Sequence, residues 1–195
     1  MVKKLLLILK MIKVEHTVFA LPFAFMGAFL AARGYPSSRQ IFWILVAMVG
    51  IRSAAMAFNR LVDANIDSAN RRTRNREIPR GALEKTEVWV FVAVSSAVFI
   101  LAAYQLNRLC FILSPAALAC TFFYSFTKRF TWLSHLFLGS AIGLAPLGGW
   151  LAVAGSFHPI AFLLGAAVLF WIGGFDIVYA CQDYEFDCNH MLKSI

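Results

Sequence analysis

The chain has 195 residues, of which 61% are hydrophobic and only 14% charged, and its net charge is +8. Soluble domains are roughly 45–50% apolar and about 25% charged, so this balance excludes a soluble globule, a disordered chain and a disulfide-stapled secreted domain. A basic balance in so apolar a sequence points to the cytoplasmic leaflet of a bilayer, with no nucleic acid as partner.

Residues 2–13 read as an interfacial helix whose lysines face lipid headgroups. Lys3 and Lys4 before Leu5–Leu9 look like the start of a cleaved leader, but Lys10, Lys13, Glu15 and His16 interrupt the apolar run. Six membrane spans are then expected, at 14–32, 41–58, 88–106, 109–126, 133–154 and 159–180. None alternates with period two, so barrel strands are excluded. Pro22, Pro115 and Pro146 fall inside spans, where neighbouring helices satisfy the freed carbonyls. Gly139 and Gly143 are spaced for close helix approach. Cys110, Cys120, Cys181 and Cys188 show no metal spacing and read as reduced packing residues.

With the N-terminus inside, 14 Lys and Arg residues are cytoplasmic and only Arg33, Arg39 and Arg108 lie outside, a strong positive-inside bias. All five Asp then fall at the cytoplasmic ends of the second and sixth spans. Asn59, Asp63 and Asp67 recur every four residues, which keeps side chains within about 80° of arc on one helix. Tyr179, Asp183 and Asp187 repeat that spacing, with Asp176 earlier on the same segment. Four spans separate the rows, so both reach the same side and face each other across a cavity. Carboxylates clustered without a balancing Lys repel one another and call for cations. An all-oxygen donor set favours Mg²⁺ over zinc, and Mg²⁺ leaves coordination positions for substrate phosphates.

The segment after the first row carries Arg71, Arg72, Arg74, Arg76 and Arg80. It serves the topology, and its forked guanidinium groups also suit diphosphate oxygens. Lys128 and Arg129 lie on the same side. Arg52 is the one basic residue within a span and shares a helix face with Asn59. It is expected to face the cavity, either pairing with an acid or holding an anionic substrate group. His16, His135, His158 and His190 show no ligand spacing and are expected at the interface.

These motifs resemble the UbiA superfamily of intramembrane prenyltransferases. Asn59-xxx-Asp63-xxx-Asp67 is similar to its first Asp-rich motif, Arg72-Thr-Arg-Asn-Arg-Glu-Ile-Pro-Arg-Gly81 to the loop that follows, and Asp176-xx-Tyr179-xxx-Asp183-xxx-Asp187 to its second. Glu15-His-Thr-Val-Phe-Ala-Leu-Pro-Phe23 and Ser125-Phe-Thr-Lys-Arg-Phe-Thr131 resemble the 4-hydroxybenzoate polyprenyltransferase branch, which includes similar enzymes of menaquinone synthesis.

The resemblance implies an all-α, polytopic protein of a bacterial-type inner membrane: a barrel of nine helices around a cavity open sideways to lipid. Residues 1–195 would form a single, incomplete domain of this kind, with six of the nine spans. Met191 stands where the family usually has Gly, and Lys193-Ser194 resume the pattern. Implied too is Mg²⁺-dependent transfer of a prenyl chain from polyprenyl diphosphate to an aromatic acid, in ubiquinone or menaquinone synthesis. By motif position, Asn59, Asp63, Asp67, Asp183 and Asp187 would hold Mg²⁺ and diphosphate. Arg72, Arg74 and Arg76 would neutralise the leaving diphosphate, with Lys128, Arg129 and Lys193 in support. Asp176 and Tyr179 would line the catalytic site, and Arg52 would meet the aromatic acid.

In such a reaction, charge neutralisation would break the allylic C–O bond, and the ring carbon beside a phenolic hydroxyl would attack the cation-like prenyl carbon. Phe58, Phe123, Tyr124 and Phe175 are candidates to shield that cation. Two further readings are an inactive piece of such an enzyme and a cation-coupled transporter that uses the Asp rows; the Arg segment argues against the transporter. Acceptor identity, chain length and oligomeric state stay open. The charge bias predicts that a reporter fused at the N-terminus, or in the 70–81 segment, reads as cytoplasmic. A periplasmic readout from either would reverse the topology.

Overall fold

The computed structural model describes residues 2–13 and 15–193, the side chains of 2, 3, 5 and 15–18 excepted. Expectations placed on Lys3, Glu15 and His16 fall on undescribed side chains, and those on residues 14 and 194 lie outside the described residues. Among the described residues the protein is helical throughout: α1 (Val2–Met11), α2 (Glu15–Ala32), α3 (Ser38–Val62), α4 (Ala64–Ala69), α5 (Lys85–Leu106), α6 (Arg108–Thr127), α7 (Ser134–Ala154), α8 (Pro159–Ala180), a 3₁₀ turn (Cys181–Asp183) and α9 (Tyr184–Asn189).

Five segments are long and apolar enough to cross a membrane: Ser38–Val62, Lys85–Leu106, Arg108–Thr127, Ser134–Ala154 and Pro159–Asn189. The sixth expected span falls on α2, whose described apolar stretch, Phe19–Ala32, is shorter. Helix starts follow local chemistry. Ser37 and Gln40 form a reciprocal capping box at α3. His158 accepts from the Ile160 N–H, and Pro159 opens α8. Asn107 ends α5 and caps α6 through Cys110 N, while its amide donates 2.8 Å to the Leu151 carbonyl of α7. One side chain thus fixes the corner of three helices.

Helices without a hydrophobic drive between them associate through close backbone approach. The α7–α8 and α2–α7 pairs depend on small residues for this. A Cβ on Gly139 would lie 2.3 Å from the Leu169 carbonyl oxygen, and one on Gly143 2.6 Å from that of Gly165. On the opposite face of α7, a Cβ on Gly149 would lie 1.9 Å from the Ala24 oxygen. The spacing expected from Gly139 and Gly143 therefore marks a real helix contact. Two apolar clusters consolidate the bundle. One is Ala24, Ala28, Ile44, Ala145 and Ala152. In the other, Met11 and Ile12 pack on Ala57, Phe58, Leu61 and Val88, so the end of α1 rests on protein.

The spacing predicted each Asp row on one continuous helix, and here the structure differs. Asp63, at φ −90° and ψ 0°, ends α3, and α4 restarts at Ala64. The second row passes from α8 through the 3₁₀ turn into α9. At the first break the Arg129 guanidinium takes the Val62 carbonyl at 2.7 Å.

Gly149→Val is expected to lower stability by about 1–3 kcal/mol, since α2 and α7 must part to admit it. Thermal unfolding in detergent checks this, with Gly148→Ala as a near-neutral control because a Cβ there meets open space.

Candidate functional site

The polar end of the bundle is built where α3, α6 and α8 finish and α7 begins. Asp63 is 3% exposed, too buried to carry its charge without a partner. Lys128 Nζ donates to its Oδ2 at 2.6 Å and Asn59 Nδ2 to the same oxygen at 3.2 Å. The Arg129 guanidinium stands 3.6 Å from Oδ1 and donates to the Val62 carbonyl at 2.7 Å. Asp63 Oδ1 accepts no hydrogen bond among the described residues.

The 70–81 segment folds back on the first row as a run of tight turns. Asn70 starts it by accepting the Arg72 N–H on Oδ1 at 2.8 Å, and Thr73 Oγ1 donates to the Asp67 carbonyl. This return carries Arg76 onto the buried Asp67, where one guanidinium nitrogen reaches both carboxylate oxygens at 2.6 and 2.7 Å. It also carries Arg72 to the second row. Arg72 Nε donates to Asp183 Oδ1 at 2.9 Å, its Nη2 pairs with Oδ2, and Asn70 Nδ2 donates to Oδ1 at 3.0 Å. Arg72 Nη1 donates to the Tyr179 hydroxyl at 3.3 Å, with its guanidinium carbon 5.6 Å from that ring's centre. The Asp183 carboxylate holds the Arg72 guanidinium above its ordinary pKa.

Asp187 is half-buried beyond this pair. Lys193 is placed by its backbone, whose N–H donates to the Lys128 carbonyl at 2.7 Å. Arg74 is exposed, and its guanidinium makes no hydrogen bond or ion pair with a described residue; its backbone N–H donates to the Asn70 carbonyl.

Above these pairs lies a cavity of ≈ 640 Å³, walled mostly by apolar side chains of α2, α3 and α5–α8. Asn59, Arg60, Arg76 and Tyr179 reach its polar end, and Arg52, Tyr124 and Asp176 also line it. Among the described residues Arg52 has no ion-pair partner, and its buried Nε makes no hydrogen bond with one. No described acid pairs with it, one of the two roles expected for it. A second, polar pocket of ≈ 690 Å³ is lined by Asn70, Arg71, Arg72, Asp183 and Glu185.

Three expectations are corrected. The carboxylate rows do not lack counter-charge: Asp63, Asp67 and Asp183 are each neutralised by a cation of the same chain. Among the described residues no three His, Cys, Asp or Glu side chains are grouped closely enough to hold a metal ion. Burial explains this, since an isolated carboxylate is costly and the nearest cations satisfy it. The chemistry of the site still fits Mg²⁺, because its donors are hard oxygens and Asp63 Oδ1 has no hydrogen to accept.

Second, His135 is not interfacial. It is 4% exposed, and its Nδ1 lies 2.8 Å from Asp176 Oδ2. A signal for this was present: the two residues stand nearly equidistant from the turn that joins antiparallel α7 and α8. His158 and His190 are exposed, as expected. Third, Tyr124 and Phe175 line the cavity, but Phe58 stacks on Phe122 at 4.3 Å in the core and Phe123 packs on Phe130 and Phe137. Arg60, buried beside Asn59, is a cavity residue that the motif spacing did not single out.

This geometry defines an intramembrane helical bundle that sets interlocked acidic and basic side chains at one end of an apolar cavity. Residues 20–195 match the UbiA prenyltransferase family, and the chain belongs to it. The 4-hydroxybenzoate octaprenyltransferase of Nitrosomonas eutropha is 33% identical over 168 residues, 86% of this chain and 59% of its own length. The chain thus spans little more than half the length of the curated relatives it matches. The apo structure of a UbiA homologue from Aeropyrum pernix K1 is 39% identical and superposes with a TM-score of 0.87, covering 93% of this chain and 68% of that one. A UbiA homologue from Archaeoglobus fulgidus bound to DMAPP and Mg²⁺ shares the fold at 20% identity, with a TM-score of 0.76 over 96% of this chain and 67% of that one.

Lys128→Met leaves Asp63 short of its nearest cation and is expected to cost about 1–3 kcal/mol, reduced from the fully buried case because Lys128 is partly exposed. In the double variant with Asp63→Asn, most of that loss should return. A double-mutant cycle of thermal unfolding measures it.

Proposed function

We propose that the protein is an intramembrane, Mg²⁺-dependent aromatic prenyltransferase. It moves a polyprenyl group from its diphosphate to a hydroxybenzoate-type or naphthoate-type ring, in ubiquinone or menaquinone biosynthesis. The observation that carries this is the pairing of an apolar cavity of ≈ 640 Å³ with the acid–Arg cluster at its end. A long hydrocarbon chain with a doubly charged head needs both. The names of the curated relatives and the ligands of the Archaeoglobus fulgidus homologue support the same reading.

Asn59, Asp63, Asp67, Asp183 and Asp187 would hold Mg²⁺. When bound, the metal supplies Lewis-acid neutralisation of charge on the diphosphate. Arg72, Arg76 and Lys128 are committed to carboxylates in the structure. With the carboxylates holding a metal, Arg72, Arg76 and Lys128 would be free to take phosphate oxygens. Cations and carboxylates change partners together, so no charge is left buried alone. Arg74, Arg129 and Lys193 would serve as further cations for the diphosphate. Tyr179 stays against Arg72 and fixes its fork, while Tyr124 and Phe175 present ring faces to the positive prenyl carbon. The apolar walls keep water from capturing that carbon. Arg52, unpaired across the cavity, would anchor the carboxylate of the aromatic acid. The polar end faces the cytoplasm.

Binding of a non-hydrolysable prenyl diphosphate analogue is expected to weaken at least tenfold in EDTA, and Asp63→Ala or Asp183→Ala should do the same with Mg²⁺ present. Titration calorimetry on the chain in lipid nanodiscs measures both. Equal affinity with and without Mg²⁺ would replace the metal with direct Arg recognition. Incubation with labelled prenyl diphosphate and a hydroxybenzoate then reads transfer itself.

A further inference from the structure

Residues 1–13 carry Lys3, Lys4, Lys10 and Lys13 and no acid. The structure gives the described lysines of α1 different surroundings. Lys4 is tied to Glu87 at the start of α5. Lys10 is exposed, and its ammonium makes no ion pair with a described residue. Leu6, four residues earlier and so on the same side of the helix, is 60% exposed. The other side of α1 is held by protein. Leu7 and Ile8 pack against the cluster in which Met11 and Ile12 are buried with Leu61, Leu83 and Val88. Those partners mark a depth. α3 ends at Val62 and α5 begins at Lys85, so α1 lies at the level where two membrane-spanning helices reach the surface. Trp89 is exposed at that level, the depth at which indole rings settle in a bilayer. Water alone would leave Leu6 wet, and hydrocarbon alone would leave Lys10 without a counter-charge. The boundary between acyl chains and headgroups satisfies both, with the lysine stem along the chains and its ammonium at the phosphates.

We propose that the outer side of α1 is a docking surface for anionic phospholipid headgroups, with Lys10 as the contact to the phosphate and Leu6 as the anchor in the acyl chains. A zwitterionic headgroup balances its own phosphate with an ammonium, whereas a net negative one leaves its charge for Lys10. Lys4 plays a different part. Its charge is answered by Glu87, so it fastens the helix to the bundle. Glu87 has both carboxylate oxygens engaged, one by Lys4 and the other by the Glu84 N–H, and does not compete for Lys10. Protein therefore holds one side of α1 and lipid the other. Nothing in this depends on prenyl transfer.

The test is hydrogen–deuterium exchange, read by mass spectrometry, on the 195-residue chain in nanodiscs of phosphatidylcholine alone or mixed with phosphatidylglycerol. Phosphatidylglycerol is expected to slow exchange of the α1 amides about fivefold, the scale of one lysine at an anionic surface, and to leave the α7 amides unchanged. Lys10→Gln should remove most of that effect, and Lys10→Arg should keep it. High salt should remove it from the unmodified chain. Leu6→Ser should speed α1 exchange in both lipids alike, and no change in that variant rejects the anchor. Equal α1 exchange of the unmodified chain in the two lipids overturns the proposal and leaves α1 held by protein alone. So does a lipid effect that survives Lys10→Gln, since the attraction then lies elsewhere. If Lys10→Gln does not insert, the salt arm decides: a lipid effect that persists in high salt is not electrostatic and rejects the lysine contact.

Discussion

The bond between Arg72 and Asp183 joins parts of the chain 111 residues apart, and the polar end of the molecule depends on it. Arg72 belongs to a segment with no helix of its own, and Asp183 lies in the short turn after α8. Asn70, which also binds Asp183, starts the turns that bring Arg76 to Asp67. One contact therefore ties the end of α8 to the 70–81 segment and closes the floor of the cavity. Tyr179 backs it from the cavity side, so the same guanidinium faces a carboxylate and an aromatic ring.

Among the described residues, each Asp of the two rows except Asp187 has a cation or imidazole of its own chain against it. This reconciles two demands that oppose each other in a membrane: the site must carry several charges, and none can be buried alone. The cavity above it follows the other rule and is satisfied by apolar walls except at Arg52 and Asp176.

Much of this was legible in the residues. The spans were visible because a run of some twenty apolar residues has few other uses. The α7–α8 contact could be read from Gly139 and Gly143 because only a missing side chain permits that approach. The rows showed which acids matter, and an even number of spans placed them at one end. What spacing could not give was who meets whom. It placed Asp63 and Asp67 on one helix, whereas α3 breaks between them. It left His135 at the surface, since a histidine's partner on another helix has no local signature. It offered four aromatic residues for the cavity and could not tell Tyr124 from Phe123, its neighbour on the other face of α6. Burial and pairing are decided by helix rotation, which an apolar helix with little polar asymmetry does not encode.

The position of Asp63 at the very end of α3 has an electrostatic consequence. The carbonyl groups of a long helix gather partial negative charge at its C-terminus, the least favourable place for an anion. Asp63 adds a full negative charge there, and Lys128 and Arg129 offset both, Arg129 by taking the Val62 carbonyl directly. Whatever draws Lys128 toward the cavity strips that balance from the helix end. A bare anion entering from the lipid side would thus meet a rising penalty as it succeeds, whereas one that arrives with a divalent cation replaces the charge it removes. On the proposed reading, the end of α3 would favour a head group that arrives already neutralised over a naked one.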